Sequence, residues 1–403
     1  MNNWKEFTIS NIIVEQSKSK LQVQNAIDHG SYPFFTSGER ILKHTEYIAE
    51  GDNIFLATGG VANVKYFSGK CAYSTDTYVL KCIDFDTKYL YYFLLDKRDF
   101  INNNLFSGSG LKHLQKKDFY KICFKAPGNS GEQQKIVKIL STADTVLEKT
   151  QTALAKYKAI KEGLLNDLFT RGIDLKTGKL RPKQEEAPEL YKESELGWIP
   201  KDWEMDKLEF LTEKIGSGVT PTGGSEVYVK SGVLFLRSQN ILIGKLNIED
   251  AAYINSEIDE KMEGSRIKQF DVLLNITGAS IGRCAYFPFE LISANVNQHV
   301  CIIRFKNSNK SHSVFASEFM NSHFGQSQIN RSNAGGNREG LNFQQIKSFS
   351  FPIINPLELD IIASIIERQS FLIGTEENYL EKLQRIKSGL LADLLSGNKI
   401  VTA

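Results

Sequence analysis

No stretch of this 403-residue chain approaches the ~18 uninterrupted apolar residues that a membrane-spanning helix requires. Its start, Met1-Asn2-Asn3-Trp4-Lys5-Glu6, lacks the basic segment and apolar run of a secretion signal. The five cysteines, Cys71, Cys82, Cys123, Cys284 and Cys301, form no Cys-x-x-Cys pair and no even-numbered framework. A disulfide-stapled exported scaffold is therefore excluded, and a soluble, cytoplasmic protein with reduced thiols is expected. Net charge is almost absent: 49 Lys and Arg against 47 Asp and Glu leave +2. That balance excludes a polybasic, histone-like protein, but not a nucleic-acid binder with one basic face. With 41% hydrophobic and 24% charged residues, the chain is not disordered throughout, and its length suits two or three domains.

Catalytic signatures are missing as well. Gly69-Lys70 is followed by Cys71, so no phosphate-cradling P-loop is formed. The six histidines show neither His-Glu-x-x-His nor His/Cys metal spacing, and no nucleophile elbow occurs. Phe106-Ser107-Gly108-Ser109-Gly110 has the pattern of an S-adenosylmethionine loop. However, Ile101-Asn102-Asn103-Asn104 precedes it where a buried strand belongs, and the chain has no Pro-Pro pair. A flexible glycine loop is expected there, and Asp76 and Asp271 read as turn or strand-end carboxylates. Neither a self-contained enzyme nor a bound cofactor or metal is expected in this chain.

What the sequence does contain is a repeat. Residues 160–168 (Ile-Lys-Glu-Gly-Leu-Leu-Asn-Asp-Leu) and 386–394 (Ile-Lys-Ser-Gly-Leu-Leu-Ala-Asp-Leu) agree at seven of nine positions at an offset of 226. Steps of four and three from Ile136 land on Leu140, Ala143, Leu147, Thr150, Leu154, Tyr157, Lys161, Leu164 and Leu168. The offset carries these to Ile362, Ile366, Gln369, Ile373, Glu376, Leu380, Leu383, Lys387, Leu390 and Leu394. A heptad seam held this long, with no interrupting proline, predicts two helices of roughly 35–40 residues packed on each other. Polar seam residues either fix register or mark where the seam opens to another protein.

A non-helical block precedes each helix. The expected order is a first globular block at 1–128, a first spacer helix at 129–172 and a polar linker at 173–197. A second block at 198–355 and a second spacer helix at 356–398 complete it. Short β-rich runs separated by Gly, Asn and Asp predict mixed α/β blocks in tandem. Gly110-Leu111-Lys112 matches Gly340-Leu341-Asn342, and Thr58-Gly59-Gly60-Val61 matches Thr277-Gly278-Ala279-Ser280.

Basic, amide and glycine residues cluster at corresponding places. The first block offers Lys112, His113, Lys116 and Lys117; the second offers Arg331, Asn333, Asn337 and Arg338, with Thr220, Arg237 and Gln239 elsewhere. Arg reads guanine, Asn and Gln read adenine, Lys neutralises phosphate, and glycine admits close backbone approach. From 265 to 350, nine Lys/Arg face four Asp/Glu, a local net of +5.

The whole chain resembles the DNA-specificity subunit of type I restriction-modification systems. The resemblance rests on Glu195-Leu196-Gly197-Trp198-Ile199-Pro200-Lys201-Asp202-Trp203-Glu204, Asn275-Ile276-Thr277-Gly278-Ala279-Ser280-Ile281-Gly282-Arg283 and Asn297-Gln298-His299-Val300. Glu132-Gln133-Gln134-Lys135-Ile136 and the two Ile-Lys-x-Gly-Leu-Leu-x-Asp-Leu helices complete it. The first half departs by carrying Ser74-Thr75-Asp76-Thr77-Tyr78, and the second helix opens Pro356-Leu357-Glu358-Leu359-Asp360 without the Glu-Gln-Gln. The resemblance implies two target-recognition domains held apart by two antiparallel helices, each reading half of a bipartite site on double-stranded DNA. It also implies two methyltransferase subunits carrying S-adenosylmethionine, and restriction subunits using ATP and Mg. A related system with fused methyltransferase-nuclease and a coiled-coil protein adaptor remain the alternatives.

Overall fold

The computed structural model describes residues 3–333 and 340–399, with Gly224 and Ser225 described by backbone alone. The chain packs as two compact units, residues 1–153 with 376–403 and residues 154–375. Two 41-residue helices, the central one at Ser130–Thr170 and the distal one at Pro356–Ser396, each contribute to both units.

In the first unit a four-stranded antiparallel sheet runs in the order Ile13–Glu15, Thr77–Cys82, Asp52–Ala57, Val64–Ser68. A three-stranded sheet pairs Tyr32–Phe35 with Leu42–His44 antiparallel and with Ala72–Tyr73 parallel. Trp4–Thr8 pairs with Cys123–Pro127. The second unit has the same plan. Its four-stranded order is Thr212–Ser217, Val300–Phe305, Val272–Asn275, Cys284–Tyr286. Val233–Leu236 lies between Ala252–Ile254 (antiparallel) and Ala294–Val296 (parallel), and Glu204–Lys207 pairs with Ser350–Ile353. The tandem mixed α/β architecture expected from the helix repeat is thus present strand by strand.

The sequence reason lies in the two-residue period of a strand. Along Val300–Phe305, Cys301, Ile303 and Phe305 enter a core with the helices, while Val300 and Ile302 enter a second core with Leu234, Leu236 and Phe287. In the first unit, Ile54, Leu56, Tyr78 and Leu80 face the helices, while Phe55 and Val79 face Phe35 and Tyr73. Each four-stranded sheet is therefore buried on both faces. A short helix packs into the helix-side core in each case, Thr87–Asp96 capped by Asp86 and Lys310–Asn321 capped by Asn309, while the three-stranded sheet covers the other face.

The seam residues divide between the units. Ile136 and Leu140 share the first core with Leu394, and Leu390 packs against it. Leu168 shares the second core with Ile362 and Ile366, and Leu164 packs against it. Leu154 is buried, whereas Leu147, Ile373 and Leu380 are half-buried. In both units the two helix portions thus run antiparallel, the start of one beside the end of the other. The two seam lysines are used within the units. Lys161 Nζ lies 2.6 Å from Glu318 on the Lys310–Asn321 helix. Lys387 lies 2.5 Å from Asp144, which also accepts a 2.6 Å hydrogen bond from Tyr92 on the Thr87–Asp96 helix. Gln133, from the Glu-Gln-Gln stretch, is buried and ties the start of the central helix to Asp86 N and Pro127 O.

Residues 173–197, expected as a linker, contain the hairpin Ile173–Asp174/Lys179–Leu180 and lead into Tyr191–Ser194/Gly197–Pro200. Their anchor is the Glu358 carboxylate, 0% exposed, in the first turn of the distal helix. It accepts from Arg181 Nη1 at 2.6 Å, Trp203 Nε1 at 3.1 Å and Ile173 N at 2.7 Å, and Arg181 also meets Asp202 at 2.7 Å. The polar composition that suggests a solvated connection instead supplies a buried ion network. Gly172, at φ +58°, turns the chain into it, and a Cβ there would lie 2.2 Å from Glu358 Oε1.

Two outcomes are expected. Glu358→Ala removes the buried partner of Arg181, leaving it Asp202 and Arg171 O, and should cost about 3–5 kcal/mol in denaturant unfolding, with part recovered by adding Arg181→Met. His312 is buried between Phe305 and Phe351, and burial lowers its pKa to about 4. The unfolded chain therefore binds the proton first, and stability is lost as pH falls from ~6.5 toward the folded value. His312→Phe should remove about 2 kcal/mol of the stability difference between pH 7 and pH 5, measured by urea titration at both.

Candidate nucleic-acid interface

With both sheet faces packed, each sheet presents polar residues in the loops at its strand ends. In the second unit, hydrogen bonds join several of these loops. Thr220 Oγ1 donates to Gln298 Oε1, Gln298 Nε2 lies 3.2 Å from His299 Nε2, and His299 Nδ1 lies 2.6 Å from Thr277 Oγ1. Asn275 Nδ2 reaches Ser238 O at 2.8 Å and Ser280 Oγ at 3.1 Å, bringing in the loop after Val233–Leu236. Gly340 bridges Thr277, and its N–H donates to Asn333 Oδ1 at 3.1 Å. The structure thus brings Thr220, Arg237 and Gln239 onto connected loops, and Asn333 joins them from the end of the His323–Asn333 helix. Asn337 and Arg338 lie outside the described residues.

These candidates differ in what they have free. Gln239 and Thr220 are exposed. Arg237 is half-buried, with its guanidinium 5.3 Å from the Tyr228 ring, and its buried Nε has no hydrogen-bond partner among the described residues. Arg331 is exposed, and its charge helps Lys207 and Ser350 hold the Glu195 carboxyl below its ordinary range, with Lys207 the largest cause. Gln298, His299 and Thr277 are not among the sequence candidates; the Asn-Gln-His-Val stretch is the signal for the first two and Asn275-Ile276-Thr277-Gly278 for the third. Gly218 is fixed by close approach, because a Cβ there would lie 1.7 Å from Val296 O.

The first unit builds the same loops from other residues. Thr58 Oγ1 and Ser37 Oγ both donate to Asp76 O at 2.5 Å. Lys65 donates to Thr36 O at 2.9 Å and also to Gly38 O, and burial lowers its pKa. Ladder positions equate Ala57↔Thr77 with Asn275↔Val300, which places Asp76 where the second unit has His299. The Gly-rich stretch 108–110 lies between the paired strands Phe106–Ser107 and His113–Leu114, not at the start of a helix. This hairpin is bound to the neighbouring loop through Gly60 N to Lys112 O at 2.8 Å and Leu114 N to Thr58 O at 3.0 Å.

Two alignments made on sequence shift. Leu341 N donates to Ile276 O as Leu114 N does to Thr58 O, so His113-Leu114, not Gly110-Leu111, corresponds to Gly340-Leu341. Thr58 correspondingly matches Ile276, and the left-handed Gly60 (φ +84°) matches Gly278 (φ +73°). Lys112, His113 and Lys117 are exposed, but Lys116 is committed internally. Its Nζ lies 2.7 Å from Glu15 and 3.8 Å from the Tyr78 ring centroid. Among the described residues no group of three or more His, Cys, Asp and Glu could hold a metal, and no helix is long and apolar enough to cross a membrane.

These geometries give two expected results. Lys116→Ala should lower stability by about 1–2 kcal/mol while Lys117→Ala stays within about 0.5, both by thermal unfolding. Gly218→Ala should separate Thr220 from Gln298. Hydrogen exchange would show it as lost protection at residue 218, whose N–H donates to Asn297 O at 3.3 Å, with Val300–Phe305 unchanged.

A family model described as type I restriction modification DNA specificity domain matches residues 1–157 and 200–385. The chain is 26% identical over 294 residues to the type I restriction enzyme MjaVIII specificity subunit of Methanocaldococcus jannaschii, covering 70% of this chain and 65% of that protein. It is 25% identical over 228 residues to the type I restriction enzyme EcoDI specificity subunit of Escherichia coli, covering 53% and 51%. The alignments span about half to two thirds of the length of these relatives. The S subunit of a type I restriction-modification system from M. genitalium shares the fold, with a TM-score of 0.68, 16% identity and coverage of 98% of this chain and 96% of that one.

Proposed function

Since the chain belongs to the family of type I restriction modification DNA specificity domains, we propose that it is the non-catalytic subunit that reads a split DNA site. Each unit reads one half of an asymmetric sequence in double-stranded DNA. Two methyltransferase subunits supply S-adenosylmethionine and the adenine chemistry, and restriction subunits supply ATP- and Mg-dependent motor and nuclease functions. The observation that carries this reading is the duplicated loop surface: one strand plan built twice, with different side chains at equivalent loop positions. His299 faces Thr277 in one unit and Asp76 holds the same place in the other. A scaffold that is kept while its loops diverge suits two half-sites of unlike sequence.

The chemistry of the loops supports the assignment. Amide and imidazole groups offer both donors and acceptors to base edges, whereas Lys112 and Lys117 offer charge to phosphates. Positioning and reading are therefore separable in experiment.

The test uses the full chain purified with its methyltransferase partner. Lys112→Ala and Lys117→Ala should each reduce the slope of log affinity against log salt by about 0.9 without changing the methylated motif. Deleting Gly335–Arg338 should change only one half of that motif, or abolish activity, when methylated adenines are mapped in cells. Methylation at adenines with no common split motif would overturn the proposal.

A further inference from the structure

The first unit carries an apolar feature that its packing does not explain. Val61 is 71% exposed and Leu111 is 65% exposed, although each lies in a loop firmly tied to its neighbour. Gly60 N donates to Lys112 O at 2.8 Å, Gly59 bridges His113, and Ala62 N donates to Asn102 Oδ1 at 2.9 Å. Leu111 Cδ2 would lie 3.5 Å from a Cβ on Gly59, so the two loops meet at this point. A Cβ on Gly60 would meet nothing within 4 Å, so the turn is open on that side.

We propose that Val61 and Leu111 form an apolar contact for the C5-methyl group of thymine, giving this unit a preference for a T·A pair at one position of its half-site. The proposal rests on the DNA-reading function above and names one base feature that the first unit reads. Apolar side chains distinguish thymine by its methyl group, the one hydrophobic element on the major-groove edge of a base pair. Lys112, next to Leu111 and bonded through its carbonyl to Gly60 N, is exposed and forms no ion pair among the described residues, which suits the approach of a phosphate backbone. The second unit has Ala279 after the equivalent left-handed glycine, a smaller group at the same loop tip. The two units therefore differ in apolar reach at a matched position.

The closing experiment uses the full chain with its methyltransferase partner and a randomised duplex library, from which the bound site is selected. Thymines in the half-site assigned to the first unit are then replaced one at a time by deoxyuridine, which removes only the methyl. Wild type should lose affinity about fourfold at one position, the value of one buried methyl group. Val61→Ala with Leu111→Ala should bind the thymine duplex about as weakly as wild type binds the deoxyuridine duplex, with an unchanged salt slope. No thymine in that half-site, equal affinity for both duplexes, or discrimination surviving in the double variant would overturn the proposal. In each of those cases selection of a split site would leave the DNA-reading function standing. Selection of no common site would remove both, and variants that bind every duplex normally but no longer join the methyltransferase would assign the feature to a protein contact instead.

Discussion

Burial of both faces of each four-stranded sheet constrains everything else in this protein. Alternate residues of Val300–Phe305 and Asp52–Ala57 serve two cores, so neither face is left for a ligand. Side chains that must meet a partner are displaced to the strand ends, where the backbone needs turns and the left-handed Gly60 and Gly278 supply them. The Thr220–Gln298–His299–Thr277 chain is a consequence: the loops are short enough to be held by one another, and polar enough to remain useful in water. Such preorganisation reduces the ordering entropy lost on binding.

The helices solve a different problem. A 41-residue helix with a diluted seam does not hold itself; the seam lysine of each helix ties it to a globular part, while Gln369 bonds Tyr157 O of the other helix. Lys161 with Glu318 and Lys387 with Asp144 and Tyr92 occupy matched positions in the two units but use different partners. Charge and hydrogen bonding at low exposure fix one docking direction, where an all-leucine seam would tolerate several. Glu358 does the same for the segment between repeats, converting polar residues at 173–202 into a folded connection.

The helix repeat was legible because its seam and the Ile-Lys-x-Gly-Leu-Leu motif survive side by side at one offset. The strand repeat was only partly legible. Two-faced burial makes Val300-Cys301-Ile302-Ile303 a continuous apolar run, which hides the alternation that would give register. Loop motifs misled for the same reason: Gly110-Leu111 resembles Gly340-Leu341, yet strand pairing places the correspondence three residues later. Among candidate contacts, Lys117 and Lys116 are indistinguishable in sequence, and only the fold turns Lys116 toward Glu15 and Tyr78. His299 was visible as part of a motif, but its bond to Thr277 depends on a non-local meeting of two loops.

The central claim is that the strand-end loops, and not the sheet faces or the helix that covers each, form the reading surface. Hydrogen exchange of the full chain with its methyltransferase partner, with and without its selected duplex, tests it directly. New protection is expected in residues 58–62, 107–113, 216–220, 237–240, 277–283 and 297–299. Protection confined to Thr87–Asp96 and Lys310–Asn321, with those loops unchanged, would contradict it.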